Sequence, residues 1–432
     1  MLARQTLLAI LLLSACRDSA PPRRQIEINL WQTFNPEETA TLNRILERIQ
    51  RRHPQWRVHA TVIPFARAQN KFRQGAERCG TAAPHVFRAE LPWLAEFVSK
   101  GLVRPVPSDA PPPKAFLPQA REASRYAGKR WILPASVDCL ALLYNRAYLE
   151  NPPATLDQFV TRARRMTVDA EGHAADSKAF NPSRTVRWGF YVRADAYWFL
   201  PFLWAHGARL LTPDPPAVHI DSAEAVKALS FYRDLIDRWR AAPPRPSPSN
   251  DYEDQMQRFG NGSLAMMVNG PWATSSLLAR PAFAKHPRRL GIAPFPSGPS
   301  GRPAAPMSGH GWVVSRCAPQ PEEAWRLAAA LSDEEAQVTF AADNSLLPAL
   351  EAAYRRPEVK ANPFIGGFRA ALARSRSRPQ HPAIARIFDD FNPAVQAVLL
   401  GDARPEDALA GVARAWRRLL GIATPDQGVP SR

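Results

Sequence analysis

The segment QIEINLWQTFNPEETATLNRILERI, Gln25 to Ile49, switches from one hydrophobic period to another along its length. Ile26, Ile28 and Leu30 alternate with polar residues, as in a strand with one face on a core. Leu42, Ile45, Leu46 and Ile49 then recur at helical spacing. The alternation repeats downstream. Trp56, Val58, Ala60 and Val62 keep period two, Val86 and Phe87 form a short buried run, and Leu94, Phe97 and Val98 stripe a helix that stops near Gly101. Strand and helix in strict turn predict an α/β protein with a mostly parallel sheet covered by helices. A second series is expected beyond the proline-rich connection Pro105 to Pro113. It comprises a strand at Leu140 to Tyr144, a helix at Leu156 to Met166, a strand-like pair at Phe190 to Val192, a helix at Ala223 to Trp239 and an apolar run at Leu264 to Val268. The last third, Pro321 to Leu420, reads as helical behind a strand at Trp312 to Ser315. No repeat of fixed period interrupts this order.

The amino terminus is of a different kind. Arg4, the apolar run Leu7 to Leu13, and the small residues Ser14 and Ala15 before Cys16 have the order of a secretory signal. A spanning helix needs about 20 apolar residues, so this run is too short for one. Leu13-Ser14-Ala15-Cys16 resembles the lipobox of bacterial lipoproteins, which implies cleavage after residue 15, lipidation of Cys16 and a membrane anchor facing the periplasm or cell exterior. Residues 16–24 then form a polar tether. Of four cysteines, three remain once Cys16 is set aside, so at most one disulfide can form among Cys79, Cys139 and Cys317, with the pairing open.

A chain of 432 residues with 45% hydrophobic content is long enough for two lobes. The net charge of +17 would ordinarily suggest nucleic acid or an anionic surface as partner. The arginines are scattered over helix faces, however, so no nucleic-acid partner is expected. Signatures of catalysis are missing: no Walker A loop, no Gly-x-Ser-x-Gly elbow, no His-Glu-x-x-His and no Cys-x-x-Cys. Neither a metal nor a cofactor is expected. Asp138, Asp195 and Glu90 keep a glycosidase-like acid pair open as an alternative.

Several segments, taken in order, carry a family resemblance. VFRAELPWLAEFVSKGL at Val86 to Leu102, LYNRAYLENPPATLDQF at Leu143 to Phe159 and QRFGNGSLAMMVNGPWA at Gln257 to Ala273 are followed by PEEAWRLAAALSDEEAQ at Pro321 to Gln337, NSLLPAL at Asn344 to Leu350 and RPQHP at Arg378 to Pro382. Together they resemble the extracellular solute-binding proteins of ABC sugar importers, nearest the maltose and trehalose/maltose binders. The resemblance implies the two-lobe periplasmic-binding-protein fold of type II, each lobe a helix-flanked sheet joined by discontinuous crossovers. The amino-terminal lobe would take residues 25–136 and 305–350, the carboxyl-terminal lobe 137–304 and 351–425, with a tail at 426–432. It also implies a monomer that binds a sugar, a disaccharide of the maltose or trehalose class, without turning it over, and that delivers it to permease subunits. A glycerol-phosphodiester or other anionic solute is the alternative ligand, and a carbohydrate-active hydrolase the alternative activity.

Sugar recognition needs carboxylates or amides for hydroxyl edges and flat rings for apolar faces. By resemblance, Trp272 is a ligand-stacking residue, with packing between lobes as the alternative. Asp138 is an acidic contact just past the first crossover, or a hinge cap. Glu90 is another such contact, and Glu38 is either a contact or a dipole-favoured charge in the first turn of its helix. Tyr197, with Asp195 before it, resembles an acid and aromatic pair, while Trp198, Phe199 and Phe202 read as core. Gly311 and Trp312, after Ser308-Gly309-His310, would bring backbone close to ligand. Arg378 would donate a forked pair of hydrogen bonds, or be a solvated charge beside Arg374 and Arg376; Phe388 and Gln32 match loosely. Two departures stand out: His85 where the family has aspartate, and Ile384 where an aromatic follows the Arg-Pro pair.

Overall fold

Asn35 makes the junction between the first strand and the first helix. Its side chain accepts from the backbone N–H of Glu38 at 2.8 Å, and the Glu38 carboxylate accepts from the backbone N–H of Asn35 at 3.0 Å. This reciprocal capping box satisfies donors that a helix start leaves open, at about 1 kcal/mol for the cap. In this computed structural model, which describes residues 25–422 apart from 111, 113–114, 214, 248 and 302–304, strand β1 is Ile26–Gln32 and helix α1 is Pro36–Arg52. The leader, Cys16 and the tail 426–432 lie outside the described residues. Pro36 at the start of α1, Glu37 and Glu38 in its first turn and Arg51 and Arg52 in its last complement the helix dipole. Leu42, Ile45, Leu46 and Ile49 are buried on one face, each contributing roughly 1.5–3 kcal/mol of apolar burial.

Strand β2, Trp56–Val62, helix α2, Phe65–Arg78, and strand β3, Val86–Glu90, complete the opening unit. β1 pairs in parallel with β2 from Ile26↔Trp56 to Gln32↔Val62, and in parallel with β3 at Leu30↔Val86 and Trp31↔Phe87. Their carboxyl ends, Gln32, Val62 and Glu90, therefore lie along one edge of the lobe. Alternate residues of β3 feed two cores: Val86 joins Leu42, Ile45 and Trp312, whereas Phe87 and Ala89 join Phe72 and Phe97.

The parallel expectation holds for these three strands and fails for most of those beyond them. The long strand Ala305–Val314 runs antiparallel to β3 and to the strand Leu133–Cys139, which in turn pairs antiparallel with Leu347–Pro348. Ser375–Ser377 adds the seventh strand of this sheet, parallel to Ala305–Val314. The second sheet has three strands and is wholly antiparallel, with Ala141–Asn145 between Met266–Asn269 and Leu290–Ala293. The cause is connectivity, since a chain that passes between lobes on one strand comes back on another running the opposite way.

The chain leaves the first sheet at Cys139 and enters the second at Ala141, so only Leu140 separates them. It returns after Ala293 to begin the strand at Ala305. Helix Pro363–Ala373 then packs Phe364, Ile365 and Phe368 into a core shared with Leu143, Met267 and Leu290 of the second sheet and with Val137 and Met307 of the first. The two closing helices, Ile387–Leu400 and Pro405–Leu419, seal the second lobe with Phe391, Val395 and Trp416.

Other expectations are corrected in detail. Phe190 to Val192 is buried but forms no strand, because its backbone turns to a non-strand partner, with the Phe190 N–H donating to the Ala241 carbonyl at 2.9 Å. The helix starting at Ala223 ends at Asp234, and tight turns carry the chain to Trp239. The strand expected at Trp312 to Ser315 begins at Ala305, extended through a Ser-Gly-His-Gly stretch with too little apolar character to show as a strand. Cys79 and Cys317 form the disulfide, with 5.1 Å between their Cα atoms, and Cys139 is a buried free thiol. Among the described residues no helix is long and apolar enough to cross a membrane.

Candidate functional site

Where the strand ends of the first lobe meet the second lobe, a buried polar cluster collects residues from five chain segments. Arg88 and Glu90 stand on β3, Asp138 on the strand Leu133–Cys139, His310 and Ser308 on Ala305–Val314, Glu38 on α1, and Arg378 just beyond Ser375–Ser377. Period two places Arg88 and Glu90 on one face of β3. Glu90 accepts from the Ser308 hydroxyl at 2.8 Å and from the Arg378 guanidinium in a short buried ion pair. Arg88 donates to the Thr33 hydroxyl at 2.7 Å, and its guanidinium carbon lies over the Phe34 ring, 3.9 Å from its centre. The His310 Nδ1 lies 3.4 Å from an Asp138 carboxylate oxygen.

Burial sets the electrostatics of this cluster. It raises the Glu38 carboxyl to about 7 against the opposing pull of Arg88, and the Asp138 carboxyl to about 6 against Arg88 and Arg378. It lowers Arg88 to about 10 and, helped by Arg88, holds the His310 imidazole well below its ordinary value. The Oε1 of Glu38, the Nε atoms of Arg88 and Arg378 and the Nε2 of His310 are buried with no hydrogen-bond partner in the protein. Unsatisfied groups of this kind are rare in a settled core, and here four of them converge.

Aromatic side chains wall the cluster from the second lobe. Asp195 caps the helix Ala196–Ala205 by accepting from the Tyr197 N–H at 2.8 Å, which aims Tyr197 toward Arg378, whose guanidinium lies 5.3 Å from the ring centre. Burial, then Asp138, pushes the Tyr197 hydroxyl well above the usual range for a phenol. Trp272 follows the strand Met266–Asn269 on a short turn of 3-10 helix, its ring lying back over Gly270, where a β-carbon would come within 2.1 Å of it. Only glycine fits there. Arg193 holds the same wall from behind: it forms a buried ion pair with Asp251 at 2.7 Å and stacks 3.7 Å from the Trp198 ring centre.

The lobes touch around this site. The Asn35 amide donates to the Trp272 carbonyl at 3.2 Å, the Ser276 hydroxyl to Glu37 at 3.3 Å, and the Gln380 amide to the Ala123 carbonyl at 3.0 Å.

Of the residues singled out from sequence, Glu38, Glu90, Asp138, Tyr197 and Arg378 are brought together here, and Trp272 lies beside them with Asn35 bound to its backbone. Gly311 and Trp312 are placed elsewhere. A β-carbon at Gly311 would meet the Leu133 carbonyl at 2.5 Å, so glycine is needed for strand packing at the irregular pairing beside His310. Trp312 is fully buried in the first-lobe core and donates its indole N–H to the Leu331 carbonyl at 3.2 Å. Its ring meets Phe34 edge-on at 6.3 Å, so it supports the ring on which Arg88 rests. Arg378 is a buried partner of Glu90, so the solvated-charge alternative fails for it. Phe388 lies against the same guanidinium, 5.7 Å from it. Gln32 turns inward and accepts from the Phe34 N–H at 2.5 Å. His85 accepts from the Asn29 N–H at 3.2 Å through Nδ1, and Ile384 is buried in the second-lobe core.

From the sequence no site role was assigned to Arg88, His310 or Ser308. A signal existed for the first: in VFRAE two opposite charges alternate inside an otherwise buried strand, a pattern that core packing alone does not call for. A separate open hollow of about 700 Å3, bordered by Arg146, Lys285, His286 and Arg288, lies beyond the far ends of the second-sheet strands and touches none of these residues.

Residues 44–366 match the family model described as bacterial extracellular solute-binding protein. The chain is 24% identical over 324 residues to the maltotriose-binding protein of Pyrococcus abyssi, an alignment covering 73% of this chain and 66% of that protein, just under two thirds of its length. The crystal structures of the GacH receptor of Streptomyces glaucescens, unliganded and in complex with acarbose and an acarbose homolog, superpose with a TM-score of 0.83 at 30% identity over 92% of this chain and 99% of that one. The maltose/maltodextrin-binding domain of Bdellovibrio bacteriovorus bound to maltotriose has the same fold, with a TM-score of 0.78 at 22% identity over 92% of this chain and 100% of that one. With about three quarters of its length inside the family model, the chain belongs to the bacterial extracellular solute-binding proteins.

Proposed function

We propose that this protein is the capture component of an ABC importer and that it holds a short glucoside of the maltose class between its lobes. The observation that carries this reading is the buried cluster of Glu38, Arg88, Glu90, Asp138, His310 and Arg378, with unpartnered polar atoms, facing Tyr197 and Trp272. Carboxylates and guanidinium groups suit the hydroxyl edges of a sugar and flat rings suit its faces. The relatives are named for maltotriose and maltodextrin, so ligands of two and three glucose units are the first to test.

An anionic solute fits less well. Arg378 is already matched by Glu90, and Arg88 faces Glu38 and Asp138, so the site has three carboxylates against two guanidinium groups. The same residues bind without turnover on this reading, since Asp195 is engaged as a helix cap and the other acids hold arginines or histidine. Contacts that join the lobes would form as the sugar draws them together, giving a permease a loaded shape to recognise. Lipidation at Cys16, outside the described residues, would hold the protein at the membrane.

Thermal denaturation against a panel of mono-, di- and trisaccharides tests the proposal. A ligand at 100 times its dissociation constant adds about 2.7 kcal/mol of stability, and the sugar should be recovered intact. A panel without any stabilising sugar, or one in which the sugar is hydrolysed, would refute it.

A further inference from the structure

The open hollow beyond the second sheet is bordered by basic side chains and by no carboxylate. Arg146, Lys285, His286, Arg288 and Arg289 surround it, and all five are exposed. Among the described residues none of them forms an ion pair, whereas Arg280, a few residues earlier, is matched by Glu253 at 3.1 Å.

Local structure holds these charges side by side. Lys285, His286, Arg288 and Arg289 occupy the tight link between the short helix Pro281–Ala284 and the strand Leu290–Ala293. The Arg289 N–H donates to the His286 carbonyl at 2.9 Å, which closes the link into a turn. The Arg146 N–H donates to the Arg289 carbonyl at 2.8 Å, next to the paired residues Asn145 and Leu290, so the second basic segment is fixed against the first. Like charges gathered in this way repel one another, and the packing of the sheet does not call for them.

Arg146 and Arg288 also border a neighbouring hollow of about 430 Å3, whose other walls include Leu290, Ile292, Pro363 and Phe364. A cationic rim that opens onto apolar walls matches a molecule with a phosphate at one end and hydrocarbon next to it. The place in the fold agrees. Asn145 ends its strand away from the crossover at Leu140, so this surface lies at the end of the second sheet remote from the sugar site. In the first lobe β1 begins at Ile26, likewise at the end of its sheet away from that site, and there the proposed tether enters.

We propose that this end of the second lobe docks on anionic phospholipid. Arg146, Lys285, Arg288 and Arg289 take the phosphate-bearing headgroups, and the apolar hollow beside them takes the glycerol and the first acyl carbons. With the anchor holding the outer end of the first lobe, this second contact lays both lobes along the membrane. It is independent of which solute the cleft takes.

The test uses the mature chain from residue 16 carrying Cys16→Ser, so that no acyl chain contributes. It is sedimented with vesicles of phosphatidylcholine alone and with vesicles in which about one third is phosphatidylglycerol. The second kind should bind it and the first should not. Arg146→Gln with Arg288→Gln should lower that binding by about 25-fold, at about fivefold for each cation near the surface. Arg414→Gln with Arg418→Gln, an exposed pair on the last helix, should change it by less than about threefold. All four side chains are exposed, so both variants should melt with the unsubstituted chain. Equal losses from the two pairs would reduce the effect to the diffuse attraction of a cationic protein and overturn the docking surface. Release from the vesicles by millimolar glycerol phosphate would make it a small-anion site and overturn it as well. Absence of any preference for the anionic vesicles would also overturn it, and import lost in the Arg146 and Arg288 variant would then assign the surface to an acidic face of a protein partner.

Discussion

Arg378 and Glu90, 288 residues apart in the chain, form a buried ion pair that ties the segment after the last crossover to the third strand of the first lobe. A buried pair of this kind is costly to halve. Arg378→Ala should destabilise the protein by about 3–5 kcal/mol, because Glu90 then keeps a buried charge with Ser308 as its remaining partner. Arg378→Met combined with Glu90→Gln should recover much of that loss. Urea denaturation of the two single variants and the double variant gives the coupling directly.

Glu38 makes stability depend on pH. Its carboxyl is raised by burial from 4.5 to about 7, so the folded state binds a proton that the unfolded state releases. The stability it contributes is complete below about 4.5 and is lost as pH rises through about 7, amounting to about 3 kcal/mol over the window. Glu38→Gln removes this dependence. Denaturation midpoints should therefore fall more steeply between pH 5 and pH 8 in the wild type than in the variant.

Trp272 should report the ligand. Its ring packs against the second-lobe core and the core shared by the two sheets, and its carbonyl receives Asn35. Trp272→Ala is expected to weaken the best sugar of the panel by about 1–3 kcal/mol, through lost stacking and lost buried area. The change in tryptophan emission on binding should shrink in the same variant. Unaltered affinity in a folded variant would assign the residue to packing.

The Cys79–Cys317 bridge closes a loop of 238 residues that contains the whole first excursion into the second lobe. Opening it should cost about 2–5 kcal/mol by releasing the unfolded chain. Reductant should lower the urea midpoint of the wild type and leave Cys79→Ser, already lowered, unmoved.

By itself the sequence determined the local elements and their order. Period two at Ile26, Ile28 and Leu30 and helical spacing from Leu42 to Ile49 reappear as β1 and α1, because these periods are imposed by backbone geometry and need only one nearby core. The two-lobe class, and Glu38, Glu90, Asp138, Tyr197 and Arg378 as candidate contacts, were implied by the family resemblance that the ordered segments carry. Only the tertiary structure decided strand direction, since pairing antiparallel or parallel depends on where the chain re-enters a sheet and leaves no local period. It decided the cysteine pair for the same reason: 238 residues of separation become 5.1 Å through folding alone. It also separated Trp312 from the site and brought in Arg88 and His310. An indole beside a glycine-rich turn reads alike in sequence whether it faces a cleft or a core, and which one it meets is settled by the helix packed against its strand.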